Sequence, residues 1–233
     1  MNRLLALLPL AILLAMPAGA LAQTPQQPQT LQPSSNWSGY VAGNAYYTGV
    51  SALIQAPLPY AFQSLGVVAS WVGIGGSTSH DLIQAGVEEV NQGQFVAYRA
   101  WYELLPQSSR NIVLDIAPGA WVSVDVHQVG FNLWQVTIVN GTNVFQRQFE
   151  YASSHSSAEW VVEEPALYNG QLLPLAGVTG ASFGKMSAIA NGVTANPSQL
   201  FPQTVGIVSR LGLVRAAPTG FGPDNASFTV TTI

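Results

Sequence analysis

Short runs of β-branched and aromatic residues, separated by turn-forming residues, dominate this chain and restrict its fold. The run 121–127 alternates apolar and polar residues with period two, as a strand with one buried face does. Asn140-Gly141 lies between two such runs and is typical of a tight hairpin turn. Helical periodicity of useful length is absent, so the sequence predicts an all-β sandwich or barrel. The predicted strands are 67–74, 82–89, 96–104, 121–127, 133–139, 143–150, 158–163, 182–188, 205–208 and 227–231.

The first 35 residues indicate an export signal followed by a leader. Arg3 precedes an apolar run, Leu4 to Met16, and Ala20-Leu21-Ala22 is a small-residue cleavage site, so residues 1–22 are predicted to be a signal peptide. The run is shorter than the roughly 20 residues of a membrane span. Residues 23–35 are rich in Gln, Pro and Ser and predict a flexible leader. One β-sandwich domain is expected over residues 36–233, in a protein secreted to the medium or, in a Gram-negative host, to the periplasm.

Charged residues are few, and most of them are acidic. Only 8% of the residues are Asp, Glu, Lys or Arg, and removal of residues 1–22 leaves six basic against 11 acidic residues. This balance argues against nucleic-acid binding, and few ion pairs can be lost in acid. The absence of cysteine excludes disulfides and thiolate chemistry. We expect a monomer that does not associate with a membrane once the signal is removed.

The familiar catalytic and metal motifs are missing from the sequence. There is no G-x-S-x-G elbow, no H-E-x-x-H and no phosphate loop, and His80, His127 and His155 do not have metal-ligand spacing. We therefore predict no metal, nucleotide or other cofactor. His80-Asp81 is interpreted as a polar turn between strands. Any chemistry must then come from carboxylates and amides.

Three predicted strands carry polar side chains on one face. Period two places Gln84 with Glu88, Arg99 with Trp101 and Glu103, and Glu159 with Val161 and Glu163. Gly86, between the first pair, leaves room for a ligand or another backbone. Such faces form either a solvated outer surface or an aromatic-lined groove. The pattern alone leaves both interpretations open.

Five segments, in this order, resemble the glutamic peptidase (eqolisin) family. They are Asn36-Trp37-Ser38-Gly39, Trp71-Val72-Gly73-Ile74-Gly75, Leu82-Ile83-Gln84-Ala85-Gly86, Ala100-Trp101-Tyr102-Glu103 and Ala158-Glu159-Trp160-Val161-Val162-Glu163. The resemblance implies a sandwich of two antiparallel sheets, like the concanavalin A-type lectins. It also implies an acid endopeptidase that acts on proteins or peptides.

The resemblance assigns roles to particular residues. It implies that Gln84 and Glu163, rather than Glu159, are the catalytic pair. Glu163 would take a proton from water and return it to the leaving nitrogen, while the Gln84 amide would stabilise the oxyanion. Residues expected to line or support the groove are Trp37, Trp71, Glu88, Trp101 and Glu103.

The chain departs from the family pattern at three positions. Gly75 stands where the family has aspartate, Glu88 where it often has aspartate, and Leu105 where an aromatic residue follows the W-Y-E segment. Two alternatives stay open on the sequence. One is a lectin-like sandwich that binds or cleaves glycans, which would need two carboxylates at glycosidase separation. The other is a non-catalytic relative that kept the fold.

Overall fold

A computed structural model describes residues 30–58, 65–167 and 169–232, and these residues form one long hydrogen-bonded series of strands. The predicted signal peptide and most of the predicted leader lie outside these ranges. Among the described residues no α-helix occurs, and the one helical turn is a 3₁₀ turn, Pro197–Leu200. No helix in this part of the chain is long and apolar enough to span a membrane.

In the described ranges sixteen strands alternate with short turns, and all ten predicted strands are present. In chain order the strands are β1 Gln32–Ser34, β2 Trp37–Ala42, β3 Tyr47–Gln55, β4 Gly66–Gly75, β5 Leu82–Asn91, β6 Val96–Leu104, β7 Arg110–Ile112, β8 Trp121–Gly130, β9 Leu133–Asn140, β10 Asn143–Glu150, β11 Ala158–Glu163, β12 Ala181–Ala190, β13 Val193–Ala195, β14 Gln203–Val208, β15 Val214–Pro218 and β16 Phe228–Thr232.

The strands follow the order β10-β9-β8-β3-β12-β16-β15-β14-β2-β11-β4-β5-β6-β7, with β13 added to β12. Every pair along this path is antiparallel, whereas β1 pairs with β14 in parallel. Strands β3 and β8 also contact β4 and β5 without being paired to them, so the two halves of the path pack face to face. The predicted antiparallel sandwich is confirmed.

The core fills the space between the two halves. On β8, Val122, Val124 and Val126 are fully buried, and they belong to the same cluster as Ile83 and Val87 of β5. These residues lie at alternate positions of their strands, as period two requires. The other face of β5 is therefore turned away from the core, and it carries Gln84, Gly86 and Glu88.

The last residues of the predicted leader form a strand. Gln32–Ser34 is β1, paired in parallel with 205–207 of β14. The Ser34 hydroxyl accepts a hydrogen bond from the Trp37 backbone N–H at 3.0 Å. The strand pairing and this bond position the chain just before β2.

Gly75, one of the departures from the family pattern, ends β4 in a conformation that requires glycine. Its φ is +89°, and a Cβ at this position would lie 2.7 Å from both the backbone oxygen and Oδ2 of Asp81. The Asp81 carboxylate thus occupies the space that a side chain at position 75 would need. It accepts hydrogen bonds from the Ser154 backbone N–H at 2.7 Å and the Ser153 hydroxyl at 3.2 Å.

We expect Gly75→Ala to lower the free energy of unfolding by about 1–3 kcal/mol, because it adds a clash to a left-handed backbone. Urea unfolding at a fixed pH measures the loss. Gly43→Ala is the control, since a Cβ at Gly43 meets no atom within 4 Å and its φ is not positive. Equal stability of the two variants would contradict this account of Gly75.

Candidate active site

Five adjacent strands, β2, β11, β4, β5 and β6, place the predicted site residues in three consecutive rows on one face. The first row runs from Trp37 through Glu163 and Ala69 to Glu88. The second runs from Val161 through Trp71 and Gly86 to Trp101. The third runs from Glu159 through Gly73 and Gln84 to Glu103. The shared faces expected from period two are therefore present.

A groove of about 710 Å³ lies over this face. Of the seven predicted site residues, all but Trp71 contribute to its lining, and Trp71 is fully buried beneath it. Leu105, where the family has an aromatic residue, adds an apolar wall. The structure thus brings together these predicted residues: Trp37, Trp71, Gln84, Glu88, Trp101, Glu103 and Glu163.

Trp71 packs beneath the groove because its neighbour across the sheet, Gly86, has no side chain. A Cβ at Gly86 would lie 2.7 Å from the Trp71 Cβ and 2.1 Å from the Ser70 backbone oxygen. The room predicted at Gly86 is therefore taken by the adjacent strand and its indole. Trp37 meets Trp71 edge-on, with ring centroids 5.0 Å apart. The indoles form a rigid apolar base beneath the polar side chains.

Two nitrogen donors hold the carboxylate of Glu163. Trp71 Nε1 donates to Oε2 at 2.8 Å, and Asn36 Nδ2 donates to Oε1 at 2.9 Å. Burial, with a smaller contribution from the charge of Glu103, raises the pKa of Glu163 to about 7, although hydrogen bonds from Trp71, Trp37 and Asn36 oppose the shift. These donors favour the ionised form, but desolvation outweighs them.

Asn36 is the contact that the site prediction missed. It precedes Trp37 in the segment Asn36-Trp37-Ser38-Gly39, and the sequence indicates no role for it. Its position follows from β1 and the turn that joins β1 to β2. The turn brings Asn36 beside the last residue of β11, and the Glu164 N–H donates to the Asn36 backbone oxygen at 2.8 Å. Only the pairing of β2 with β11, which are distant in sequence, reveals this contact.

Gln84 and Glu103 form a second polar pair in the groove. Gln84 Nε2 donates to Glu103 Oε2 at 2.7 Å, and Gln84 Oε1 is buried with no hydrogen-bond partner among the described residues. Trp101 Nε1 is buried and lacks a partner in the same part of the chain. Burial raises the pKa of Glu103, against the bond from Gln84. Polar atoms with unused bonding capacity therefore line the groove.

Glu88 and Glu159 have different surroundings from Glu163. Glu88 lies 3.7 Å from the Arg99 guanidinium, although burial still raises its pKa. Glu159 is completely buried, so desolvation raises its pKa well above the ordinary value. Glu159 is not part of the groove lining. The geometry separates Glu163 from the other glutamate of the same strand.

A family model for the peptidase A4 family matches residues 35–210 of the sequence. The chain belongs to the peptidase A4 family. It is a glutamic-type endopeptidase, and the predicted family resemblance is confirmed. The match spans β2 to β14 and includes every residue of the groove described above. No curated protein matches the sequence.

Solved structures of peptidases share the fold. Scytalido-glutamic peptidase with a peptide-based transition-state analogue superposes with a TM-score of 0.73 at 21% identity, covering 85% of this chain and 98% of that one. SCP-B, an eqolisin in complex with the tripeptide Ala-Ile-His, gives 0.69 at 20% identity over 85% and 98%. Aspergilloglutamic peptidase from Aspergillus niger gives 0.64 at 26% identity over 72% and 99%.

The raised pKa values of the buried carboxyls predict that the free energy of unfolding falls as the pH rises. Burial raises the pKa of five glutamates above the ordinary 4.5, and for Glu89 and Glu163 to about 7. A carboxyl with a raised folded-state pKa stabilises the fold fully below about 4.5, and this contribution is lost as the pH rises through the folded-state pKa. Each titrating group lowers the free energy of unfolding by up to about 1.4 kcal/mol per pH unit.

We therefore expect the free energy of unfolding to decrease between pH 4.5 and pH 7, measured by urea unfolding. Glu89→Gln should flatten this decrease, because Glu89 is fully buried, lies outside the groove and loses its titration. Arg210→Gln, at an exposed turn, should leave the slope unchanged. A stability that rises over this interval would show that the buried carboxyls ionise at their ordinary pKa.

Proposed function

We propose that Glu163 and Gln84 are the catalytic pair of a secreted endopeptidase that works at mildly acidic pH. The observation that carries the proposal is that both side chains line one groove, with the Glu163 carboxylate fixed by Trp71 and Asn36. A fixed orientation is what proton transfer to and from a reacting group requires. Secretion rests on the predicted signal peptide, residues 1–22.

The proposed cycle uses one proton carrier. Ionised Glu163 takes a proton from a water molecule as that water attacks the scissile carbonyl carbon. The protonated carboxyl then gives the proton to the leaving nitrogen as the carbon–nitrogen bond breaks. The products are a carboxylic acid and an amine, and Glu163 returns to its ionised form.

Gln84 supplies the neutral donor for the negative charge on the carbonyl oxygen. Its Nε2 carries two N–H groups, and Glu103 accepts a hydrogen bond from one of them. We propose that the other N–H reaches the oxyanion. Glu103 holds the amide so that it does not have to reorient during the reaction, which is the condition for strong electrostatic stabilisation.

A glycosidase would use two carboxylates, and Glu103 and Glu163 do line the same groove. The family match and the placement of Gln84 favour peptide hydrolysis over this alternative, since a glycosidase has no need of the amide. Variants of the proposed pair test whether these two residues, rather than other side chains of the groove, carry the hydrolysis.

We expect Glu163→Gln to lower kcat for peptide hydrolysis at least about 10²–10⁴-fold, because the amide cannot accept a proton from water. Gln84→Ala should lower kcat about 10²–10³-fold by removing an oxyanion donor. Hydrolysis of an uncharged peptide, with release of new amines, is the measurement. Glu159→Gln is the matched control on the same strand and should keep nearly full activity. Full activity in all three variants would refute the proposed site.

The pH profile of kcat/KM should follow the ionisation of Glu163. The ionised base becomes about tenfold rarer for each pH unit below a pKa of about 7, so activity should rise from pH 4 towards neutrality. The loss of stability expected between pH 4.5 and pH 7 should limit the profile on the other side. An optimum below pH 4 would contradict an ionised Glu163 with a pKa near 7 as the general base.

Asn36→Ala should move the rising limb of this profile to higher pH and lower kcat/KM at pH 5 by roughly tenfold, since a donor to the ionised carboxylate is lost. Ser35→Ala is the control, because among the described residues its hydroxyl bonds to Asn36 and not to the carboxylate. A uniform loss of activity with an unchanged profile would mean that Asn36 acts on folding rather than on the charge of Glu163.

A further inference from the structure

A second cavity, here called the arginine pocket, lies beside the groove at the open edge of the sandwich. Its volume is about 390 Å³. Tyr102 of β6 and Arg110 of β7 form one wall, and Arg147 and Phe149 of β10 form the opposite wall. The Tyr102 and Phe149 rings lie 4.7 Å apart, and the Arg147 guanidinium lies 5.2 Å from the Phe149 ring centroid. The pocket thus has an aromatic interior with two guanidinium groups.

This pocket concentrates positive charge in a protein that has little of it. Two of the six basic residues that follow the predicted signal peptide line it. Arg99 and Arg215 are paired with Glu88 and Glu164, whereas neither arginine of the pocket has a carboxylate within 4.0 Å in the described ranges. Two guanidinium groups without carboxylate partners present donors in the planar geometry that matches a carboxylate.

A single loop separates the arginine pocket from the groove. Residues 105–109 join β6 to β7, and both Gln107 and Ser108 of this loop line the two cavities. Glu103 and Tyr102 are neighbours on β6, and they point to the groove and to the arginine pocket respectively. A peptide in the groove therefore needs to cross only one loop to place a further group between the two arginines.

We propose that the arginine pocket is a substrate subsite that binds a carboxylate of the peptide being cleaved. This inference rests on the proposed function, because the groove must hold the scissile bond. The carboxylate belongs either to an acidic side chain a few residues from that bond or to the C-terminus of the peptide. The aromatic walls contact the aliphatic part of the same residue. The enzyme then favours acidic peptides although its own net charge is negative.

The test measures equilibrium binding to Glu163→Gln protein, so that hydrolysis does not interfere. Fluorescently labelled peptides of one uncharged sequence are compared at pH 5.5, where peptide carboxylates are ionised. In one arm, Glu replaces Gln at one position of the peptide at a time. In the other arm, a peptide with a free C-terminus is compared with the same peptide amidated at its C-terminus. We expect at least one carboxylate peptide to bind roughly two- to fivefold tighter than its neutral match, the range for an accessible charge pair.

Adding R110Q and R147Q to the Glu163→Gln protein should abolish this preference. Adding R210Q instead, which removes one arginine from an exposed turn elsewhere, should leave the preference intact. Urea unfolding of each variant establishes that it is folded. Equal binding of all carboxylate and neutral peptides, or a preference that survives R110Q/R147Q, would overturn the proposal. Hydrolysis of the neutral peptide by protein with Glu163 intact reports separately on the proposed function, so the two can fail independently.

Discussion

The hydrogen bond from the Trp71 indole to the Glu163 carboxylate joins the packing of this protein to its chemistry. Trp71 is fully buried against Gly86, and its N–H reaches the last residue of the neighbouring strand β11. Because the indole cannot move without disrupting the sheet, the carboxylate has one orientation. Asn36 holds the other oxygen from β1 and the turn before β2. Strand pairing, rather than a mobile loop, therefore positions the proposed base.

The same burial that fixes Glu163 also sets its proton affinity. Desolvation raises its pKa to about 7 despite the donors around it. A carboxyl near this value can both accept and return a proton at modest cost, which suits a single group that serves as base and then acid. The scarcity of lysine and arginine makes this possible, since a nearby cation would favour ionisation and lower the pKa. Composition and mechanism are connected through the same electrostatic balance.

Strand prediction succeeded where runs of β-branched and aromatic residues were continuous and failed where they were interrupted. β8 and β11 were both predicted within a few residues, although β8 alternates between buried and partly exposed residues and β11 is buried along almost its whole length. β2 and β3 were not predicted, since Gly39, Gly49 and Ser51 break up their apolar runs. Both strands are nonetheless central, and β2 forms one side of the site. Their stability comes from neighbours on both sides, β11 and β14 for β2 and β12 and β8 for β3.

The sequence by itself determined the all-β class, the face on which each polar residue of a strand lies, and, through five ordered segments, the family. These follow from period two and from local composition, which any short window carries. Only the tertiary structure decided that Asn36 bonds to Glu163, that Asp81 fills the space beside Gly75, and that two arginines from β7 and β10 share a pocket. Each of these contacts joins strands or turns that are distant in the chain, and strand order, which local periodicity does not encode, brings them together.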